Sequence, residues 1–190
     1  MSRYSISDEQ QAANLRLTEI IRPISSAAWS STYNFRNLES GLKSLAEDYG
    51  VLELNPDFQR GHVWTEEQQV RFIEASIRGL IPSACQVIQF NCPNWHHNNT
   101  GILPDGFQCM DGLQRYTAIN RFIKGEIRPF GLDVEDFYKT SFSPRDINVT
   151  IAVHCYTNKN ELLRRYIDIN TGGTPHHIDE ISRVRAMITD

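Results

Sequence analysis

Apolar residues recur at helical spacing in some segments of the chain and at strand spacing in others. Leu38, Leu42, Leu45 and Ala46 fall on one side of a helical wheel, and Gly50 closes that predicted helix. Thr65-Glu66-Glu67-Gln68 has the Thr-x-x-Gln form of a capping box. It opens a helix whose apolar face holds Val70, Phe72, Ile73 and Ile77, with Gly79 and Pro82 bracketing its end. On its surface Glu74 precedes Arg78 in the favourable order for an ion pair. Further helices are expected at 113–124, near 134–138, from an Asn158-Lys159-Asn160-Glu161 start to about Ile169, and at 178–188. Short apolar or β-branched runs at 51–54, 85–90, 107–110 and 148–156 read as strands. The stretch from Asn91 to Gly106 is rich in Asn, Pro, Gly and His and reads as a long loop or hairpin. Helices separate the strands, so the expected class is α+β, a small mixed sheet flanked by helices.

The first 31 residues follow a different pattern. Ser7-Asp8-Glu9-Gln10 caps a mostly polar helix that Pro23 ends, and 25–31 read as a linker. The expected organisation is an N-terminal helical segment and linker over 1–31, then one compact domain over 32–190. No run approaches the ~18 apolar residues of a membrane span, and the N-terminus lacks the apolar stretch of a secretory signal. A cytoplasmic protein without a membrane partner is expected.

Composition narrows the chemistry. A net charge of -4 argues against a dedicated non-specific DNA binder but not against a local basic site. Arg60, Arg71, Arg78, Arg115, Arg121 and Arg128 gather in the middle of the sequence, a run that is most often a solvated face. If DNA is bound, Arg60, Arg71 and Arg78 are the candidates. The four cysteines form no Cys-x-x-Cys pair, so zinc spacing is absent. Cys85, Cys109 and Cys155 lie in strand-like runs and read as small core residues. His96-His97-Asn98-Asn99 and His176-His177 lack the surrounding ligands of a metal site. No Walker motif appears, so P-loop chemistry is excluded.

The most informative stretch is Cys109-Met110-Asp111-Gly112-Leu113-Gln114-Arg115-Tyr116-Thr117-Ala118-Ile119. An apolar run ends in Asp-Gly and a helical pattern starts at once, with Arg115 in its first turn. A helix N-terminus carries about half a positive charge, so a cation there is unfavourable unless an anion answers it. Phosphate is the usual anion at such a place. Two structural readings compete: Asp111 and Gln114 as a capping box, and Asp111 paired with Arg115 across one helical turn.

Three motifs stand in order: Pro56-Asp57-Phe58-Gln59-Arg60-Gly61-His62-Val63-Trp64, then Asp111-Gly112-Leu113-Gln114-Arg115, then Ile169-Asn170-Thr171-Gly172-Gly173-Thr174. Together they resemble the N-terminal domain of GmrSD-type modification-dependent restriction enzymes over about residues 35–185. Gly112-x-x-Arg115-x-x-Ala118 also looks like the phosphate-binding box of nucleotide-binding ParB proteins. The resemblance implies a ParB/sulfiredoxin-like fold and a site for a nucleoside triphosphate. In that picture Arg115 pairs with a phosphate, Gly112 lets the backbone approach, and Gln114 holds a phosphate oxygen or a water. Asp111 holds Mg²⁺, Gln59 and Arg60 enter from a neighbouring loop, and Asn170, Thr171 and Gly172 line the same cleft. Asp111, Gln114 and Arg115 would be the catalytic set.

Leu113 departs from the family pattern, which has Gln there, and an apolar side chain cannot supply that hydrogen bond. Full-length relatives often carry an HNH-type nuclease half, and none is expected within residues 1–190. Trp64 reads either as a core residue or as a platform for a base. Three functions therefore stay open: a Mg²⁺-dependent nucleoside triphosphatase, a module or decoy that acts by occupancy on DNA or a defence protein, and a scaffold with a dead site. Any of them is compatible with a homo-oligomer.

Overall fold

The computed structural model describes residues 6–21, 23, 26–96, 103–171 and 178–188. Its elements are α1 (Asp8–Ile21), β1 (Trp29–Asn34), α2 (Leu38–Tyr49), β2 (Val51–Glu53), α3 (Glu66–Ile77), β3 (Val87–Asn91), β4 (Gly106–Asp111), α4 (Leu113–Ile123), α5 (Val134–Phe137), β5 (Asn148–His154), α6 (Lys159–Thr171) and α7 (Ile178–Arg185). The five strands form one mixed sheet in the order β1-β5-β3-β4-β2. β1 runs antiparallel to β5, and β5 runs parallel to β3. β3 is antiparallel to β4 and β4 parallel to β2. The expected α+β class is met.

Strand alternation divides the sheet into two unlike faces. On the first, Ile88 and Phe90, Phe107 and Cys109, and Val149, Ile151 and Val153 pack under α2, α3, α4 and α5. On the second, Met110 joins Phe58, Leu103, Tyr156, Leu162, Leu163, Tyr166 and Ile167, and Ile181 and Val184 from α7, in a smaller apolar cluster. That same face also carries Asn91, Gln108 and His154, all buried.

Three of the expected helix starts are built as read. Thr65 and Gln68 exchange side-chain-to-backbone bonds, as do Ser7 and Gln10. The Asn158 side chain accepts from the Glu161 N–H at 3.1 Å. Several readings need correction. Trp29, Ser30 and Ser31 belong to β1, not to a linker, because they pair with Val153, Ala152 and Ile151 of β5. Cys85 is exposed and Cys155 half-buried, whereas Cys92, outside the expected core set, is buried. Cys85 sits in a 3-10 turn before β3 and misses the sheet. α6 extends through Thr171, so Asn170 and Thr171 are helical and not part of a loop. Glu74 accepts from the Phe130 N–H at 2.7 Å, and Arg78 lies 5.0 Å over the Phe130 ring, so the expected surface pair is replaced by a clasp on the 129–131 turn. Gly172 and the His97 and His176-His177 positions lie outside the described residues, while His96 is exposed.

Candidate functional site

The site is built where β4 turns into α4. Gly112 adopts φ +97 there, and no side chain caps α4. A Cβ at this position would lie 2.9 Å from Cα of Ile88, on the neighbouring strand β3. Left-handed backbone and lack of space both demand glycine, and the turn is thereby pressed onto the sheet. The Asp111–Gln114 capping box expected here does not form. Gln114 instead turns away from the helix end. Its Oε1 accepts from the N–H groups of Val63 and Trp64 at 3.0 and 3.1 Å. Its Nε2 donates to the Gly61 carbonyl at 3.2 Å. The competing structural reading, the Asp111–Arg115 ion pair, does form.

Arg115 is held from two sides. Its Nε donates to the Val87 carbonyl at 3.1 Å, and a terminal nitrogen donates to Asp111. The Arg115 side chain stays 23% exposed and that of Asp111 29%. A guanidinium has five N–H donors, so these two bonds leave the outer part of the fork for another acceptor. Leu113 is buried in the first-face core. The position where the family pattern has Gln therefore points inward in this chain.

The loop carrying Gln59 to Trp64 lies against this turn. Besides Gln114, it is held by Gln69 of α3. The Gln69 amide nitrogen donates to the Trp64 carbonyl at 3.1 Å and reaches Nε2 of His62 at 2.9 Å. Its oxygen accepts from Arg121 at 2.9 Å. Trp64 packs on the core with its ring 5.5 Å from Phe72, which supports the core reading of that residue. Gln59 is a strut between β4 and α6. Tyr166 Oη donates to its Oε1 at 3.0 Å, and its Nε2 donates to Cys109 Sγ at 3.9 Å. Burial pushes the Cys109 thiol up to about 12, so it stays protonated and serves as packing, not as a nucleophile.

The first two motifs thus meet, and Gln59 links both to α6. The described part of the third motif is less engaged. Asn170 is buried and donates to the Tyr166 carbonyl at 2.7 Å, and Thr171 donates to the Ile167 carbonyl at 2.8 Å. Both are back-bonds within the last turns of α6. Arg60 is half-buried. Arg71 pairs with Glu67 at 2.6 Å with both side chains largely exposed. Residues that the sequence did not single out are Tyr166, Gln69 and Arg183, whose guanidinium donates to the Asp57 and Phe58 carbonyls at 2.7 and 3.0 Å. Helical spacing with Leu162 and Leu163 marks Tyr166 as buried but does not give its partner. Among the described residues no group of three or more His, Cys, Asp or Glu stands together to hold a metal. None of the described helices is long and apolar enough to cross a membrane.

Fold and site together define an α+β domain with an arginine-bearing strand-to-helix turn gripped by a second loop. The family model described as GmrSD restriction endonuclease, N-terminal domain, matches residues 42–185. The chain belongs to that family, and so to a domain of restriction systems. No curated protein and no solved structure matches it.

Proposed function

We propose that the turn from Asp111 to Arg115 binds the phosphates of a nucleoside triphosphate within a ParB/sulfiredoxin-like domain. The carrying observation is the Arg115 guanidinium, fixed by Asp111 and the Val87 carbonyl beside the first turn of a helix that no side chain caps. Helix dipole and guanidinium act in the same direction on an anion. Gly112 lets the phosphate approach the backbone. Asp111 acts as the positioning group for Arg115, and Gln114 as the tether of the 61–64 loop. Gln59 braces that loop against β4 and α6.

The residues present do not make a magnesium site of their own, because the motif's one carboxylate faces a guanidinium. Magnesium enters this reading only as the counter-ion that the phosphates carry with them. Leu113 is buried and both ends of the Gln114 amide are engaged, so neither is placed to orient a water. This favours a module that acts by occupancy over a triphosphatase. DNA contact through Arg71 and Arg78 has less support, since Glu67 and the Phe130 ring already engage them.

Calorimetry of the chain with GTP, ATP and CTP in Mg²⁺, followed by phosphate release on the same samples, tests the reading. Binding without turnover is expected. Arg115→Ala is expected to weaken binding by about 1.5–3 kcal/mol, the range for hydrogen bonds to charged groups. Unchanged affinity in a folded Arg115→Ala variant overturns the assignment. Phosphate release that depends on Arg115 overturns the occupancy reading and restores the enzyme.

A further inference from the structure

Two free thiols stand side by side at the end of β3 away from Val87, whose carbonyl Arg115 holds. β3 and β5 run parallel and in register as far as Asn91 and His154. One further bond, from the Cys92 N–H to the His154 carbonyl at 2.8 Å, extends the ladder. In a parallel ladder that bond sets residue 92 beside residue 155. Alternation along each strand then puts both side chains on one face. Asn91 bonds to Tyr156 on the second face, so Cys92 points to the first, where it joins the core. His154 and Tyr156 stack their rings with planes 8° apart, so Cys155 between them points the other way. Neighbouring strands lie about 4.8 Å apart. That is inside the Cα separation of roughly 4.4–6.8 Å that a disulfide spans.

The two thiols are unequal. Cys155 is half-buried and open to a small reagent, whereas Cys92 is fully buried. Burial, with the charges of Asp105 and Cys155 adding to it, pushes the Cys92 thiol up to about 12. The more accessible sulfur meets an oxidant first, and the buried one resolves the product. The Cys92 Sγ donates to Asn94 Oδ1 at 3.3 Å. Asn94 donates to the Tyr49 carbonyl at 2.6 Å and accepts from the Gly106 N–H at 3.1 Å. The pair therefore sits where the end of α2 and the start of β4 are tied to the segment after β3. The other two cysteines have no such neighbour. Cys85 is exposed in the turn before β3, and Cys109 pairs with Phe90.

We propose that Cys92 and Cys155 are a redox site that a peroxide closes to a reversible disulfide, clamping β3 to β5. The Cys155 sulfur attacks the peroxide O–O bond and keeps one oxygen as a sulfenic acid, while the other oxygen leaves as water. The Cys92 sulfur then attacks the Cys155 sulfur. The S–S bond forms, the S–O bond breaks, and the hydroxyl leaves as water with the Cys92 proton. Two thiols have lost two electrons, and hydrogen peroxide has become two waters. The test uses the full chain carrying Cys85→Ser, which removes the exposed thiol and its coupling between molecules. The folded protein is treated with hydrogen peroxide, its remaining thiols are alkylated in denaturant, and its peptides are read by mass spectrometry. The expected product is lighter by two hydrogens, keeps only Cys109 as a free thiol, links the Cys92 and Cys155 peptides, and reverts with dithiothreitol. It is expected to melt several degrees above the reduced protein. Cys92→Ser is expected to stop at a Cys155 sulfenic acid that dimedone traps, and Cys155→Ser to leave Cys92 reduced. Oxidation of Cys155 without the link, a link from either residue to Cys109, or no reaction at either thiol in the folded chain overturns the site. A linked protein that melts no higher than the reduced one overturns the clamp.

Discussion

The two faces of the sheet are built on opposite principles. The first buries the apolar residues Ile88, Phe90, Phe107, Cys109, Val149, Ile151 and Val153 under four helices. The second has a smaller apolar patch around Met110 and Tyr166, and beside it Asn91, Gln108 and His154 are buried with their polar atoms. Apolar burial is non-directional and sums with area. Buried polar groups need specific partners and are costly when those fail. The first face therefore supplies most of the stability. The second supplies directional groups that hold loops in place. The Asp111–Arg115 turn sits where the faces meet, at the end of β4, and draws on both.

Removing the Phe107 ring, which is fully buried and lies edge-on to Phe90 and Tyr49, breaks the stabilising face most directly. Phe107→Ala is expected to cost about 3–5 kcal/mol by urea unfolding. The largest effect on the second face is expected from Asn91. Its side chain donates to the Tyr156 carbonyl at 3.0 Å and accepts from the Tyr156 N–H at 2.8 Å. Asn91→Ala strands both backbone groups in the interior and is expected to cost about 1–3 kcal/mol. A cost for Asn91→Ala as large as that for Phe107→Ala would erase the contrast between the faces.

Acid sharpens the comparison, because only the second face buries a histidine among its strand positions. His154 is 5% exposed, its Nδ1 has no partner, and burial lowers its pKa below the ordinary 6.5. Below that value the unfolded imidazole takes up a proton that the folded one refuses. Stability is then complete above about 6.5 and falls as pH drops through that value toward the folded pKa. His154→Phe should flatten that part of the pH–stability curve; an unchanged slope would assign it to other groups. The smallest effect is expected from Gln108→Leu. It removes an unanswered acceptor and leaves half-exposed Glu53 to solvent, so the change in unfolding free energy should stay within about 1 kcal/mol. A larger loss would mean that the Gln108–Glu53 bond holds β2 in place.

Much of this organisation was legible in the chain. The capping boxes at Ser7 and Thr65 and the Asn158 cap rest on bonds between residues three apart, so local sequence specifies them. The Asp111–Arg115 pair, one turn apart, is equally local. The Asp111–Gln114 box was legible too, yet it fails. Gln114 finds three backbone partners in a loop some fifty positions earlier, and no local pattern announces them. Trp29, Ser30 and Ser31 looked like a linker because their polar character is that of an edge strand. Only the β5 backbone, more than a hundred residues away, makes them one.

The sequence by itself determined where helices start, which strand positions are apolar, and that a glycine and an arginine flank the β4–α4 turn. These follow from interactions of short range in the chain, from periodicity, and from a backbone angle that glycine adopts most readily. Tertiary structure alone decided that Leu113 points into the core and that Gln59 bridges Cys109 to Tyr166. It alone set Gln108 beside Glu53 with an acceptor to spare. Each of those depends on which strand lies next to which, and the loop closures that bring distant strands together leave no periodic mark on the sequence.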